Sequence, residues 1–198
     1  MQHKNIIITG ATDGIGLAAA KSIAKKGYHV SLVGRNPDKG KKALEAIIAN
    51  SGNENLDFFE CDLSLVANVK DLADRIKQKH SKIDVLLNNA GGANKTKQIT
   101  SEGLEKTFAT NQMNYFVLST ELLNILSESN DGRIVNVASN AHIGAEVDYE
   151  NINSEKNFSA WTSYCVSKLM NIMFTYQLSS IQDKVSANVL HPGFVDTN

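Results

Sequence analysis

The segment NIIITGATDGIGLAAAKSIAKKG, residues 5–27, decides the fold that this sequence predicts. Its first part, Asn5 to Thr9, is rich in β-branched isoleucine and ends at a glycine, which is typical of a short buried strand. A glycine-rich turn follows, and a helical pattern then runs through Lys26 to a natural helix stop at Gly27. Glycines in this setting let the backbone approach a pyrophosphate, and the helix N-terminus offers it free N–H groups. The segment therefore predicts nucleotide binding.

The glycines themselves do not have the most familiar spacing. Gly10, Gly14 and Gly16 give Gly-x-x-x-Gly-x-Gly, whereas the common dinucleotide-binding fingerprint is Gly-x-Gly-x-x-Gly. Since a glycine turn alone is often only a tight connection, the interpretation depends on the strand and the helix on either side.

The rest of the chain continues the alternation of strands and helices. Apolar, β-branched runs predict further strands at 28–33, 56–61, 83–87, 133–138 and 185–190, and amphipathic patterns predict helices at 37–50, 63–79, 102–127 and 160–181. Short links between them indicate parallel βαβ units. We therefore expect an α/β protein with a three-layer, doubly wound parallel sheet of the Rossmann type, in one domain over residues 1–198, with ligands at the carboxyl ends of the strands.

Composition excludes several classes of function. The 198 residues are 42% hydrophobic, and 20 basic against 21 acidic residues leave a net charge of −1, which attracts neither nucleic acid nor membrane surfaces. Cys61 and Cys165 lie too far apart to suggest a disulfide framework. No apolar run approaches the ~20 residues that span a bilayer. We expect a soluble cytoplasmic protein with no membrane span and no nucleic-acid partner.

The end of the second strand indicates which cofactor is bound. Dinucleotide-binding units usually carry an acidic residue there for the adenosine ribose, but this chain has Arg35, which can bind a 2′-phosphate. NADP(H) is therefore favoured over NAD(H). One alternative is that Arg35 is only a surface residue beside the helix cap at Asn36 and Pro37. In addition, Asp13 adds a negative charge to the glycine turn, which weakens the case for NADP(H).

Two later strand ends carry polar residues. Asp62 could accept a hydrogen bond from the adenine amino group, or it could cap the following helix. Asn89 lies in the run Asn-Asn-Ala-Gly-Gly at 88–92, where an amide can bond loop backbone and the glycines permit unusual dihedral angles.

Tyr164 and Lys168 are four residues apart, so they share one face of the predicted helix 160–181. An ammonium near a phenol favours the phenolate, which makes tyrosine a usable base near neutral pH. Ser139 ends the fifth strand and Asn111 falls in the helix 102–127; alone, each is most simply a cap or a polar helix residue.

The histidines show no metal-ligand spacing, and we expect no metal: they are His3, His29, His80, His142 and His191.

Together these residues resemble the classical type of the short-chain dehydrogenase/reductase family. The matches, in family order, are Thr9-Gly10-x-x-x-Gly14-x-Gly16, Asp62-Leu63, Asn88-Asn89-Ala90-Gly91, Asn111, Ser139, Tyr164-x-x-x-Lys168 and Pro192-Gly193. The sequences around Tyr164 and Pro192 most resemble the branch of retinol dehydrogenases and WW-domain oxidoreductases.

The resemblance implies roles for individual residues. Tyr164 would exchange a proton with the substrate oxygen, Lys168 would assist it and bond the nicotinamide ribose, and Ser139 would bond the substrate oxygen. Asn111 would hold a water molecule behind Lys168. The implied cofactor contacts are Thr9, Gly10, Thr12, Gly14, Ile15, Gly16, Arg35, Asn36, Asp62, Leu63, Asn89, Ala90, Gly91, Tyr164, Lys168, Pro192, Gly193 and Val195.

The resemblance also implies an activity and a partner. We expect an NADP(H)-dependent oxidoreductase that interconverts a small carbonyl compound and an alcohol, assembled as a homodimer or homotetramer through helices 102–127 and 160–181. The alternative is a catalytically silent NADP(H)-binding sensor or scaffold. An epimerase of the extended type would need Thr-Gly-x-x-Gly-x-x-Gly, which the turn from Thr9 to Gly16 does not fit. Family members continue past Pro-Gly through a substrate-covering part and another strand. We therefore expect that this C-terminal part is missing from the sequence; the alternative is an unusually short protein.

Overall fold

The computed structural model describes residues 4–193, which form a parallel sheet with flanking helices. The strands are β1 (Asn5–Thr9), β2 (His29–Gly34), β3 (Leu56–Glu60), β4 (Val85–Asn88), β5 (Gly132–Val137) and β6 (Val185–Leu190). The helices are α1 (Gly14–Ala24), α2 (Pro37–Ser51), α3 (Val66–Lys79), α4 (Lys106–Phe108), α5 (Asn114–Ser127) and α6 (Ala160–Ile181). A π-helical turn, Ala109–Met113, joins α4 to α5, and a 3₁₀ helix, Asn140–His142, follows β5.

The order of the strands confirms the predicted doubly wound sheet. The strands lie in the order β3-β2-β1-β4-β5-β6, and every pair is parallel. The chain therefore builds outward from β1 to β3, then crosses back to β4 and builds outward in the other direction. Because the connections diverge between β1 and β4, a crevice opens above their carboxyl ends.

Alternating side chains of β1 supply both faces of the sheet. Ile7 packs into a core with Leu72 of α3 and Leu122 of α5, whereas Ile6 and Ile8 pack on the other face with α1 and α2. All three isoleucines are buried, since the central strand of a parallel sheet is covered on both sides. One core lies on each face of the sheet, between the strands and the helices that cover them. This arrangement confirms the predicted three layers.

Two helices begin later than the sequence predicts. In the first, a carboxylate from a distant segment bonds the N-terminus; in the second, the N-cap is a residue later in the chain than the predicted start. The helix predicted from residue 63 begins at Val66, whose N–H donates to Glu102 Oε2 at 2.6 Å. The run predicted from residue 102 begins at Lys106, with Glu105 as its N-cap. Asp62 does not cap α3: its Oδ1 accepts hydrogen bonds from the backbone N and the hydroxyl of Ser64, which form a turn before the helix.

The longest helix, α6, presents polar side chains to the interior. Lys168, Asn171 and Thr175 are all buried on the face that packs against the sheet, while Trp161 and Tyr176 are exposed. Within residues 4–193, no helix combines the length and hydropathy needed to cross a membrane.

The glycine turn after β1 leaves no space for a side chain at Gly10 or Gly16. Gly10 has a φ of +64°, in the left-handed region that favours glycine. Asp13 then caps α1 by accepting a hydrogen bond from the N–H of Gly14 at 2.9 Å. A Cβ at Gly16 would lie 2.3 Å from Gly10 O and 2.6 Å from Asn89 Nδ2, so the helix can approach the turn only with glycine at this position.

We predict that Gly16→Ala lowers the free energy of unfolding by roughly 1–3 kcal/mol, because the added methyl group displaces the backbone of Gly10 or the side chain of Asn89. Urea denaturation followed by circular dichroism measures the change. Ala18→Ser, on the exposed face of α1, serves as control and should change stability by less than about 0.5 kcal/mol. Equal stability of Gly16→Ala and wild type would contradict the close packing.

Candidate active site

Two adjoining clefts lie above the carboxyl ends of the strands. Each has a volume of about 520 Å³. Gly10, Asp13 and residues 90–93 border both, so the clefts share the glycine turn and the loop after β4. The first cleft extends toward β5 and α6, and the second extends toward the ends of β2 and β3. Their combined shape suits an extended ligand that crosses the glycine turn.

Reciprocal hydrogen bonds join the glycine turn to the end of β4. Thr9 Oγ1 accepts hydrogen bonds from the backbone N–H groups of Asn89 and Ala90, at 2.9 and 3.0 Å. In return, Asn89 Nδ2 donates to the carbonyl oxygens of Thr9 and Gly10, at 2.9 and 3.3 Å. Thr9 and Asn89 therefore fix the glycine turn, which borders both clefts, to the end of β4.

Lys168 is the most unusual charged group in the first cleft. Its side chain is 3% exposed, and its Nζ donates a hydrogen bond to Val137 O at 2.8 Å. The Nζ lies 5.7 Å from the ring centroid of Tyr164. Burial lowers the pKa of Lys168 to about 8. A buried lysine that keeps one backbone partner and faces a cleft is a strong candidate for a functional group.

Tyr115 is a second tyrosine beside Lys168; unlike Tyr164 it is fully buried, and sequence reasoning missed it. Its hydroxyl donates to the same Val137 carbonyl at 3.5 Å, and its ring centroid lies 5.7 Å from Lys168 Nζ. Burial strongly raises the pKa of Tyr115, so its hydroxyl stays protonated. The ammonium thus lies 5.7 Å from each of two aromatic ring centroids. Tyr115 lies four positions after Asn111 in the same helical run, and this spacing could have indicated that they share a face.

Asn111 lies behind the first cleft, in the π-helical turn. Its Oδ1 accepts from Gly92 N at 2.9 Å, and its Nδ2 donates to Gly92 O and to Ser167 Oγ. A Cβ at Gly91 would lie 3.0 Å from Asn111 Oδ1 and 3.3 Å from Lys168 Nζ. Asn111 therefore holds the loop after β4 close to the ammonium. Both N–H groups of its amide are used by these bonds, and the implied water relay stays a prediction.

Ser139 and Tyr164 border the first cleft together with Lys168. Ser139 Oγ accepts from Ala141 N at 3.2 Å, as the cap of the 3₁₀ helix. Trp161 also borders the cleft and stacks on the ring of Tyr164, with centroids 6.1 Å apart. Its position three residues before Tyr164 places it on the same helical face, a signal that could have identified it.

Basic side chains gather at the far end of the second cleft. Arg35 follows β2 directly and borders the cleft with Lys39 and Lys106. Asn36 caps α2, with its Oδ1 accepting from Lys39 N at 2.9 Å. The negative charge of Asp13 is partly compensated, since one carboxylate oxygen caps α1 and the other lies 3.4 Å from Lys39 Nζ.

Asp62 borders the second cleft as well. Burial acts to raise the pKa of its carboxyl, but the hydrogen bonds from Ser64, with the charges of Arg35 and Lys106, hold that pKa below its ordinary value. Asp62 is thus an acceptor, and the oxygen that Ser64 does not use stays available to a ligand.

The structure gathers most of the predicted site residues in these two clefts. In the first are Gly10, Gly14, Ile15, Asn89, Ala90, Gly91, Ser139, Tyr164, Lys168, Pro192 and Gly193; in the second are Gly10, Thr12, Arg35, Asn36, Asp62, Leu63, Ala90 and Gly91. Thr9, Gly16 and Asn111 lie beneath the clefts and position their walls. Val195 lies outside the described residues.

Comparison with known proteins gives matches over almost the whole chain. The family model described as short chain dehydrogenase matches residues 4–198. Human polyprenol dehydrogenase is 34% identical over 200 residues, covering 97% of this chain and 61% of that protein. Human retinol dehydrogenase 13 is 32% identical over 197 residues, covering 98% and 60%. The chain thus spans about three fifths of the length of these curated relatives. A crystal structure of a protein from Mycobacterium paratuberculosis superposes with a TM-score of 0.83 at 30% identity, covering 96% of this chain and 68% of that one.

We predict that Lys168→Met stabilises the fold at pH 7 by about 2 kcal/mol, which is the cost of the lowered pKa less one lost hydrogen bond. The pKa of this lysine is lower in the folded state, so its charge opposes folding fully below about pH 8. That cost disappears as the pH rises to about 10.5, where lysine also loses its proton in the unfolded chain. The gain of Lys168→Met should therefore shrink between these two pH values.

Urea denaturation at several pH values measures this gain. Lys70→Met is the matched control, since Lys70 is exposed on α3. It should not reproduce the gain of Lys168→Met. A Lys168→Met protein less stable than wild type at pH 7 would contradict the burial argument.

Proposed function

We propose that this chain, which belongs to the short-chain dehydrogenase family, is an NADP(H)-dependent oxidoreductase that interconverts a carbonyl compound and an alcohol. Within the family it lies close to the retinol dehydrogenase branch. The family match supports the class of reaction, while the cofactor, the substrate and the roles of individual residues are part of the proposal.

One observation supports the proposal most directly: the buried ammonium of Lys168 lies beside Tyr164, in a cleft that Ser139 and the glycine turn also border. A lysine of this kind costs stability, and a purely structural position would favour an apolar residue. Its charge next to a half-buried phenol is what proton transfer by tyrosine requires.

The proposed reaction divides its work among these residues. NADPH, when bound, supplies a hydride to the carbonyl carbon. Tyr164 donates its proton to the carbonyl oxygen, and Lys168 favours the phenolate that remains. Ser139 donates a hydrogen bond to the same oxygen and stabilises the charge that develops there. In the reverse direction, Tyr164 takes the proton of the alcohol.

The two clefts fit NADP(H) on grounds of charge and space. The absence of any side chain at Gly10 and Gly16 lets a pyrophosphate approach the N-terminus of α1, where backbone N–H groups attract an anion. Arg35 and Lys39 lie at one end, suited to a 2′-phosphate, and Lys168 lies at the other, near the place for a nicotinamide ribose. The amide of Asn89 is already used by the glycine turn, so it shapes this site without extending toward the ligand.

The proposed substrate is a small or medium, apolar aldehyde, ketone or secondary alcohol, with aldehyde reduction slightly favoured. Trp161 gives the first cleft an exposed aromatic wall beside Tyr164, which suits an apolar molecule. Two relatives are named for retinol and polyprenol, so their aldehydes belong in the first panel of substrates.

A cytoplasmic location and a homodimer or homotetramer stay predictions. Cys61 and Cys165 are both buried and unpaired, as in proteins of reducing compartments. Phe116 of α5, and Met173 and Tyr176 of α6, give the two long helices an exposed apolar surface on which a second copy could pack.

We predict that Tyr164→Phe lowers NADPH-dependent carbonyl reduction at least ~100-fold, because it removes the proton donor but keeps the ring. The assay follows absorbance at 340 nm with a panel of aldehydes and ketones. NADPH affinity, measured by fluorescence titration, should change less than about threefold. Turnover by wild type no greater than that of Tyr164→Phe would reject the enzyme, and tight NADPH binding without any turnover would favour a sensor or scaffold instead.

We predict that Arg35→Ala weakens NADPH binding roughly 10–100-fold and NADH binding less than about threefold, because only NADPH carries the 2′-phosphate. Fluorescence titration with both cofactors measures the ratio. Arg133→Ala is the matched control, since Arg133 is exposed at the start of β5 and pairs with Asp131. An equal effect of Arg35→Ala on both cofactors would reject the phosphate-binding role.

A further inference from the structure

Three side chains with metal-binding chemistry meet at the edge of the sheet opposite the two clefts. His29 is the first residue of β2, Asp57 is the second residue of β3, and His80 is the C-cap of α3. The clefts lie at the carboxyl ends of the parallel strands, and this cluster lies at the amino ends of β2 and β3. Its residues are distant in sequence, which is why their spacing gave no sign of a shared site.

The three ligand atoms converge on one point. His29 Nε2 lies 2.9 Å from Asp57 Oδ2, and His80 Nε2 lies 3.9 Å from the same oxygen. All three atoms lie within 4.8 Å of one another, and the two imidazole centroids are 5.1 Å apart. Tetrahedral zinc with ligands at about 2.1 Å would place neighbouring ligand atoms about 3.4 Å apart. Movements of about 1 Å would therefore complete the geometry, and His29 and Asp57 are both partly exposed and free to adjust.

One of these atoms, His80 Nε2, is buried and lacks a hydrogen-bond partner among residues 4–193. Asp57 Oδ2 is also buried, and its nearest charged neighbour is His29 Nε2 at 2.9 Å, in an ion pair without hydrogen-bond geometry. His80 is 7% exposed, so water does not readily replace the missing partner of its ring. A buried imidazole nitrogen without a partner costs free energy, and a shared ligand would remove that cost.

The surroundings of the cluster both help and oppose a cation. The C-terminus of α3 ends at His80, so the carbonyl groups of its last turn place a partial negative charge nearby. Lys79 acts in the other direction, since its ammonium contacts Asp57 Oδ1. That contact leaves Asp57 Oδ2 for the two imidazoles, but its charge competes with any metal ion.

We propose that His29, Asp57 and His80 form a binding site for a divalent transition-metal ion of the zinc class, with a water molecule as the fourth ligand. Zinc accepts a set of two imidazole nitrogens and one carboxylate oxygen, whereas magnesium favours sets made of oxygen ligands. The ion would join β2, β3 and the end of α3, and so stabilise the fold at a distance from the clefts. This site is independent of the proposed oxidoreductase activity.

The test uses untagged protein, because a polyhistidine tag would itself bind zinc. After treatment with EDTA and its removal, calorimetric titration with ZnCl₂ should show one equivalent bound with a Kd below about 10 μM. Zinc at 100 μM should raise the Tm by about 3–6 °C, and magnesium at the same concentration should not. Absence of both the heat and the Tm shift with zinc would overturn the proposal.

Four variants distinguish this site from adventitious binding. His29→Gln and His80→Gln should each weaken zinc binding at least ~10-fold, while His142→Gln, which removes an imidazole elsewhere, should not. Lys79→Gln should strengthen zinc binding several-fold, because it removes the competing ammonium. Circular dichroism and Tm in EDTA establish that each variant is folded. Unchanged binding by folded His80→Gln, or weaker binding by Lys79→Gln, would reject the assignment.

Discussion

The reciprocal hydrogen bonds between Thr9 and Asn89 are the interaction on which the site depends. They join the ends of β1 and β4, the two neighbouring strands at which the direction of the chain reverses. Parallel strands leave their last carbonyl and N–H groups unpaired, and here the hydroxyl of Thr9 and the amide of Asn89 bond them. At roughly 1 kcal/mol for each hydrogen bond, the four together are significant against the small net stability of a domain. Because they fix the glycine turn from below, its upper surface stays open to a ligand.

The hydrogen bonds of Thr9 and Asn89 stabilise the fold, whereas the buried charge in the first cleft lowers its stability. Lys168 is buried with one backbone acceptor, and Asn111 holds the loop at Gly91 and Gly92 close to its ammonium. The ring of Tyr115 lies 5.7 Å from the same ammonium. Such a site keeps a charge that folding alone would not favour, and neighbouring positions are occupied by groups that hold it in place. The π-helical turn that carries Asn111 belongs to this arrangement, since such turns frequently occur at functional sites.

The sequence predicts the fold well because local signals and the fold agree. The isoleucines of β1, the glycine turn and the cap at Asn36 and Pro37 each define an element without reference to the rest of the chain. What it misses depends on contacts between distant segments. Glu102 caps α3 across a gap of more than 30 residues, and it moves the start of that helix from the predicted residue 63 to Val66. Tyr115 meets Lys168 because the helical run that contains the π-helical turn packs against α6, and no pattern within either helix reveals this contact.

The same topology gives the two ends of the sheet partial charges of opposite sign. In βαβ units every crossover helix runs antiparallel to the strands, so the N-termini of α1 and α2 lie at the edge with the clefts, and the C-terminus of α3 lies at the opposite edge. The first edge offers N–H groups to phosphates, and Arg35 and Lys39 add charge of the same sign. The second edge offers carbonyl groups to a cation. At this edge three basic side chains lie within 4 Å of Asp57: His29, Lys79 and His80. Since an ammonium already neutralises one oxygen of that carboxylate, a metal ion can bind only by using the other, which is the oxygen toward which both imidazoles converge.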